Sequence, residues 1–376
     1  MKIVDDKTRN VLLAFAIVFI VGAILVLKNP FVQEQPVLPQ AQEQALQGEP
    51  EPSPYPVAPE IIGIKGWINS EPLTLSALRG KIVLVDFWTY SCINCIRTLP
   101  YLKQWHEKYS NTGFVLIGVH SPEFDFEKKL ENVQKAVDEF GIAYPIALDS
   151  DMETWKNYKN HFWPAKYLID ADGKIRYTHF GEGNYEETEQ KIQELLEEAM
   201  QGQIDVEITK EEEKNGEAGF FRTRELYAGY TFGGDYLGNP GGFSREKTGV
   251  YTDPQEHVDG KMYLQGEWAH YPEYVKHART TDALADYVAI KYIASEVNIV
   301  AGAAPQPYKV YITLDGVDLT NRYAGKDVQF TEEGKAFIEV LENKLYNVIN
   351  GPLGIRELKL YSDSNDFLLY TFTFGG

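Results

Sequence analysis

Cysteine is nearly absent from this 376-residue chain: there are two, Cys92 and Cys95, three positions apart. An exported chain that used disulfides as staples would carry more of them and spread them along its length. Two thiols side by side point to chemistry instead. Positive charge is also scarce, with 36 Lys and Arg against 55 Asp and Glu and a net charge of −19. Nucleic-acid binding needs a basic footprint, so that class of partner is excluded. No fixed-period repeat is visible, which removes solenoids and propellers. What is present, 44% hydrophobic and 13% aromatic residues, is enough at this length for two globular domains plus appendages.

The N-terminus reads as an address. Val11 to Leu27 is an unbroken apolar run in which Gly22 is the least hydrophobic residue. As a helix it is about 25 Å long, a little short of a hydrocarbon core, and Asn10 and Lys28 can snorkel to close the gap. Lys2, Lys7 and Arg9 lie upstream, and downstream Lys28 is the only basic residue before Lys65. The positive-inside rule therefore puts residues 1–10 in the cytoplasm, a single-pass transmembrane anchor at 11–28, and the C-terminal domains outside the cytoplasmic membrane. The competing reading is a cleaved signal peptide, but Leu25-Val26-Leu27-Lys28-Asn29-Pro30 offers no small-x-small site.

Residues 29–60 carry eight prolines (Pro30, Pro36, Pro39, Pro50, Pro52, Pro54, Pro56, Pro59), several glutamines and no Lys or Arg. Such a stretch buries no core and reads as an extended tether. Residues 61–203 alternate strand and helix patterns. Ile82 to Trp88 is apolar except for Asp86, as in a strand buried on both faces. Ile96, Leu99, Leu102 and Trp105 then form a helical stripe. Phe114 to His120 is a second strand, and Phe126, Leu130, Val133, Val137 and Phe140 a second helix ended by Gly141. Ile146 to Leu148 and Lys166 to Ile169 are short strands, and Asp172-Gly173 turns the latter into an antiparallel partner over Lys174 to Phe180. Ile192, Leu195, Leu196 and Ala199 mark a last helix.

Residues 204–215 are charged and read as a linker. From 216 to 376 the pattern becomes short alternating runs: Ala289 to Val300, Tyr308 to Leu314 before the turn Asp315-Gly316, Lys335 to Leu341, Lys344 to Ile349, Ile355 to Tyr361 and Phe367 to Phe374. These predict an all-β sandwich after an α/β domain.

Cys92 follows a strand and opens a predicted helix. A thiolate is the nucleophile in disulfide exchange, and unpaired N–H groups at a helix start favour negative charge. Two intervening residues place Cys95 within one turn, so Cys92 is the attacking sulfur and Cys95 the resolving one. A CxxC also occurs in zinc sites, but zinc needs two further ligands. No other cysteine exists, and His106, His120, His161 and His179 show no paired spacing. The expected redox group is the Cys92–Cys95 disulfide itself, with no bound cofactor and no metal.

The segment from Val85 to Cys95 resembles the thioredoxin active-site segment. Asp86 stands six positions before the first cysteine, Trp88 four before it, and Pro100 five after the second, as in that family. The resemblance implies a thioredoxin-like fold with a cis-proline facing the cysteines, a place that Trp163-Pro164 occupies. A carboxyl group in an apolar strand has a raised pKa, so Asp86 is a candidate proton acceptor and donor for Cys95. Gly118-Val119-His120-Ser121-Pro122-Glu123-Phe124, the C-I-N-C pair and Gly181-Glu182-Gly183-Asn184-Tyr185 further resemble the TlpA/ResA-type branch and the exported region of DipZ-type proteins. In those, a domain resembling carbohydrate-binding modules follows. Glu225 to Tyr230, Gly266-Glu267-Trp268 and Leu314-Asp315-Gly316 fit it.

DipZ-type proteins carry a multi-helix membrane electron carrier, whereas this chain has one apolar run. The resemblance thus implies a separate membrane electron-transfer partner of the DsbD/CcdA type, and exported disulfide-containing proteins as substrates, with cytochrome c maturation as one setting. Three rivals stand beside this. A peroxiredoxin-like peroxidase shares the fold, but the proline expected four positions before Thr89 is Val85. Sco-like copper delivery needs a wider cysteine spacing. A cell-wall carbohydrate ligand would use Trp268, Tyr271 and Tyr274 as a stacking platform; the alternative is that they fill the core or dock the two domains.

Overall fold

The computed structural model describes residues 53–210, 222–232, 236–281 and 283–375. The expected anchor at 11–28 and the tether up to residue 52 lie outside the described residues. Among the described residues no helix is long and apolar enough to cross a membrane.

The first domain is a six-stranded mixed sheet flanked by helices. Its elements run β1 (Trp67–Ile68), β2 (Ile82–Trp88), α1 (Ile93–Tyr109), β3 (Phe114–His120), α2 (Leu130–Phe140), β4 (Ile146–Leu148), α3 (Glu153–Asn157), β5 (Ala165–Ile169), β6 (Ile175–Phe180) and α4 (Tyr185–Met200). The strand order is β1-β4-β3-β2-β5-β6, with β2 parallel to β3 and antiparallel to β5. This is the thioredoxin-like α/β arrangement. All seven residues of β2 are buried, as its run of β-branched and aromatic side chains requires of a strand covered on both faces. Ile82, Leu84 and Trp88 join one core cluster, which also holds Cys95, while Val83, Val85 and Phe87 join the other.

Three expected boundaries shift. The helix read from Phe126 onward begins at Leu130, after a separate 3₁₀ turn over Asp125–Lys128. The carboxylate of Glu127 accepts the backbone N–H groups of Glu123 (2.7 Å) and Phe124 (2.9 Å), which closes that turn on itself. Leu130 is left 48% exposed at the helix start. Residues at the end of the proposed tether are also part of the folded domain: Val57 bridges to Lys174, and Glu60 accepts from the backbone of Leu75 and Ser76. The opening of the charged linker is likewise docked, because Lys108 Nζ bonds the Glu207 carbonyl and Thr209 N–H bonds Glu189.

The second domain is a large all-β region: β7 (Leu226–Tyr227), β8 (Thr248–Tyr251), β9 (Met262–His270), β10 (Val275–His277), β11 (Tyr287–Gly302), β12 (Tyr308–Leu314), β13 (Val317–Asp318), β14 (Gln329–Phe330), β15 (Ala336–Val340), β16 (Lys344–Tyr361) and β17 (Leu368–Gly375). Two separate stacked sheets are not what is observed. Hydrogen bonding runs through one continuous eleven-stranded system. The cause is the length of β11: Tyr287 to Ile290 pair with β9 and Glu296 to Gly302 with β17, while β16 follows it along nearly all its length. The two strands expected at 344–349 and 355–361 are one, passing Gly351-Pro352 through a register shift opposite Ala294 and Glu296. Asp315 and Gly316, both at positive φ, make the expected turn between β12 and β13.

Trp268 is fully buried in this domain's core. Tyr271 stacks on Tyr274 at 4.8 Å, and Tyr274 packs on Tyr370, which meets Phe124 and Phe126 of the first domain at 5.0 and 4.9 Å. Aromatic rings therefore form a continuous bridge between the two domains.

Candidate active site

Strand β2 delivers the site. Its period-2 alternation puts Asp86 on the same face as Trp88 and in the company of Cys95. The chain then turns through Thr89-Tyr90-Ser91, whose Ser91 Oγ donates to Glu127 Oε1 at 2.5 Å. Cys92 is the N-cap of α1, with extended φ and ψ, and its Sγ accepts the Cys95 N–H at 3.3 Å. Ile96 N–H bonds the Cys92 carbonyl at 3.0 Å, the first intrahelical bond. Cys92 is half-buried and Cys95 is buried, both as free thiols. The first cysteine is thus partly exposed at a helix start, and the second is buried one turn on.

Beneath Cys95 is a pair of opposite charges that do not meet. Asp86 and Lys166 are cross-strand neighbours on β2 and β5, 1% and 0% exposed. Lys166 Nζ stands 3.8 Å from Asp86 Oδ1, outside hydrogen-bond range, and neither atom has a hydrogen-bond partner. Burial pushes the Asp86 carboxyl up to about 7, with the Lys166 ammonium opposing it. Burial also pushes Lys166 down. The Cys95 thiol is pushed up by burial, then by Cys92 and Asp86. A carboxyl group near 7 beside a reluctant thiol is an arrangement that can take a proton from it at neutral pH.

The surroundings fix this geometry. Gly118 on β3 is the neighbour of Asp86; a Cβ there would come within 2.6 Å of Ile146 and 3.0 Å of Trp88 Nε1. Its missing side chain is what lets Trp88 and Tyr144 close over the strand. The Trp163–Pro164 bond is cis, and the β2–β5 register, which pairs Phe87 with Ala165, sets Pro164 beside the end of β2 from which the cysteine turn departs. Trp163 Nε1 donates to the Ser121 carbonyl at 3.0 Å. His120, stacked on Tyr90, is pushed down to about 3 by burial and stays neutral. Among the described residues no group of His, Cys, Asp or Glu comes together as a metal site.

The structure thus brings Cys92, Cys95, Asp86, Trp88 and Pro164 to one end of the sheet. Reading the sequence missed Lys166 and Glu127. The signal for Lys166 was available: one cation inside Ala165-Lys166-Tyr167-Leu168-Ile169 mirrors one acid inside the β2 run.

Residues 59–178 match the AhpC/TSA family, and residues 223–375 match the family described as thioredoxin like C-terminal domain. Protein DipZ of Mycobacterium bovis is 40% identical over 248 residues, 65% of this chain and 35% of that relative, so the chain spans about a third of its length. Thiol-disulfide oxidoreductase YkuV of Bacillus subtilis is 28% identical over 138 residues, 37% of this chain and 93% of that protein. The first domain is thioredoxin-like and similar to thiol-disulfide oxidoreductases, which supports an oxidoreductase. A solved thiol-disulfide isomerase from Corynebacterium glutamicum is 28% identical over 37% of this chain and 96% of its own, with a TM-score of 0.33. The oxidoreductase domain and the all-β domain each match a family of their own, and DipZ is similar across 65% of the chain.

Proposed function

We propose that this oxidoreductase is membrane-anchored, works outside the cytoplasmic membrane, and reduces disulfides of exported proteins through Cys92 and Cys95. The observation that carries the reading is a half-buried Cys92 sulfur at a helix start with the buried Cys95 one turn away. The Cys92 thiolate attacks a target disulfide. A bond forms between Cys92 and one target sulfur, and the other target sulfur leaves as a thiolate and takes up a proton. Cys95 then yields its proton to Asp86 and attacks the Cys92 sulfur. The second target thiol departs and the Cys92–Cys95 disulfide remains, so two electrons have passed to the target. Pro164 and Trp88 line this end of the sheet as positioning residues.

Restoring the dithiol takes a second dithiol, which we assign to a membrane electron-transfer protein of the DsbD/CcdA type. Ile93 and Asn94 put no positive charge beside Cys92, which favours a reducing or intermediate potential over a strongly oxidising one. Residues 11–28 are the anchor in this reading. The all-β domain is read as a sandwich-like scaffold docked on the redox domain; the burial of Trp268 and the packing of Tyr274 support this over a glycan platform, and a glycan array tests it.

Cys92→Ser is expected to abolish disulfide reduction, and Cys95→Ser to accumulate a mixed disulfide on Cys92 visible by mass spectrometry. A Cys92→Ser protein that still reduces disulfides at the parent rate sinks the proposal. A reduction potential near −120 mV against glutathione would reverse the direction of electron flow. The AhpC/TSA match at 59–178 favours one second reading, a peroxidase, and hydrogen peroxide turnover by the purified protein decides it.

A further inference from the structure

A cleft of about 500 Å³ opens between the two domains beside the cysteine pair, within the range of ligand-binding pockets. One wall is the start of α1, through Ile93 and Ile96, with Phe140 from α2. The other is built by β11 and the β15–β16 turn, through Asn298, Leu341 and Leu345. Ile93 directly follows Cys92, so the cleft begins one residue from the attacking sulfur.

Its chemistry narrows what it can take. Most of the charges at its walls neutralise one another: Lys135 pairs with Glu342 at 2.7 Å, Lys344 with Asp327 at 3.7 Å, and Glu296 with Arg97. The two that remain, Glu139 and Lys326, are of opposite sign, so the cleft as a whole favours neither an anion nor a cation. Uncharged amides dominate what is left. Asn347 Nδ2 donates to Asn298 Oδ1 at 2.8 Å, and Asn347 Oδ1 accepts the Lys326 N–H at 2.9 Å. Asn298 is fully buried at the cleft wall, yet its own Nδ2 has no acceptor. A buried donor without an acceptor is costly, and a carbonyl oxygen is the group that satisfies it.

Neutral amides, one uncommitted donor and a strip of aliphatic surface match a polypeptide backbone with small apolar side chains. A sugar ring would need an open aromatic face. Tyr90 is committed to stacking on His120, which leaves Phe140 alone.

We propose that this interdomain cleft is a subsite for the uncharged polypeptide segment flanking the target cysteine. The all-β domain then takes part in choosing the substrate of the exchange. This inference rests on the exchange function assigned above.

The test uses the full chain carrying Cys95→Ser and peptides bearing one thiopyridyl-activated cysteine. Cys92 thiolate attacks the peptide sulfur, and released pyridine-2-thione reports the rate. The readout is the ratio of rates for a cysteine flanked on both sides by short neutral segments and for a capped cysteine alone. We expect that ratio to be about tenfold, equivalent to about 1.4 kcal/mol. It should fall toward one in Ala303→Trp, which fills the cleft, and in Leu341→Arg, which hangs a charge over its rim from a residue already 55% exposed.

Melting curves confirm that each variant is folded, and Leu341→Arg, being on the surface, carries the test if Ala303→Trp does not fold. A ratio near one in the parent, or a ratio kept by the folded variants, overturns the proposal. So does calorimetric binding of chitohexaose or cellohexaose that the variants lose, since the cleft would then belong to carbohydrate. Failure of the capped cysteine to react with Cys92 at all is a different result, and it would overturn the exchange function itself.

Discussion

The two domains each bury an aspartate, and they treat it in opposite ways. Asp86 in the redox domain and Asp286 in the all-β domain are both 1% exposed. Asp286 is fully partnered: Arg279 donates twice at 2.7 Å, His277 Nε2 lies at 2.9 Å, and the Glu267 N–H at 3.2 Å. Burial works against its charge, but the bonds from Arg279 and His277 hold it at about 2. Asp86 has one cation in sight, beyond hydrogen-bond range, and burial carries it to about 7. Equal solvent exposure thus yields a charged structural group in one place and a proton-exchanging group in the other. What separates them is how many donors are supplied and how deep the site lies: Asp286 is met by Arg279, a residue that reaches solvent, and Asp86 by a lysine that does not.

The comparison breaks most readily at Asp286. Asp286→Ala leaves His277 and Arg279 without their acceptor and should cost about 3 kcal/mol in denaturant unfolding, while the pH profile of exchange keeps its shape. A shifted profile would mean that the two aspartates are not independent. Second in size is the kinetic effect of Asp86→Asn. On the proposed mechanism, release of the mixed disulfide slows by about 10²-fold, and the parent's rise in rate through pH 7 disappears. Stopped-flow measurement across pH 5–9 checks both.

The same substitution should sharpen the contrast in stability. A carboxyl group whose folded pKa is raised binds its proton more tightly when folded, so it burdens the fold increasingly as pH rises from about 4 to about 7. Asp86→Asn removes about 4 kcal/mol of that burden at pH 8 but leaves the buried Lys166 without its counter-charge, so a net stabilisation of about 2 kcal/mol is expected there, shrinking as pH falls from 7 toward 4. Asp286 has the opposite sign: its contribution is present at neutral pH and is lost as pH falls through about 2. Smallest of all is Lys135→Ala at the domain boundary. Both partners of its ion pair reach solvent, and thermal unfolding should register no more than about 0.5 kcal/mol.

Much of the site could be read before any fold was known, because its signals are local. The cysteine spacing, the lone acid in the β2 run and Trp163-Pro164 each lie within one short segment. Lys166 was missed because a lysine in a strand usually faces water, and only the pairing of β5 with β2 turns it inward. The cleft was out of reach for a similar reason. Arg97 and Glu296 are 199 residues apart, and no local pattern says that the two domains meet there. Strand β16 was divided in two because Asn350-Gly351-Pro352 has the composition of a turn, yet a long partner carried the pairing past it through a bulge.

The alternation along β2 carries a further consequence. Asp86 shares its face with Cys95 only because it is offset from Ile82, Leu84 and Trp88 by an even number of positions. Inserting or deleting a single residue upstream in that strand would exchange its two faces and aim the carboxylate at the layer of Val83, Val85 and Phe87. Length variation in this strand is therefore a sharper hazard to the chemistry than most point substitutions, since one added residue would move the proton carrier to the wrong side of a wall it cannot cross.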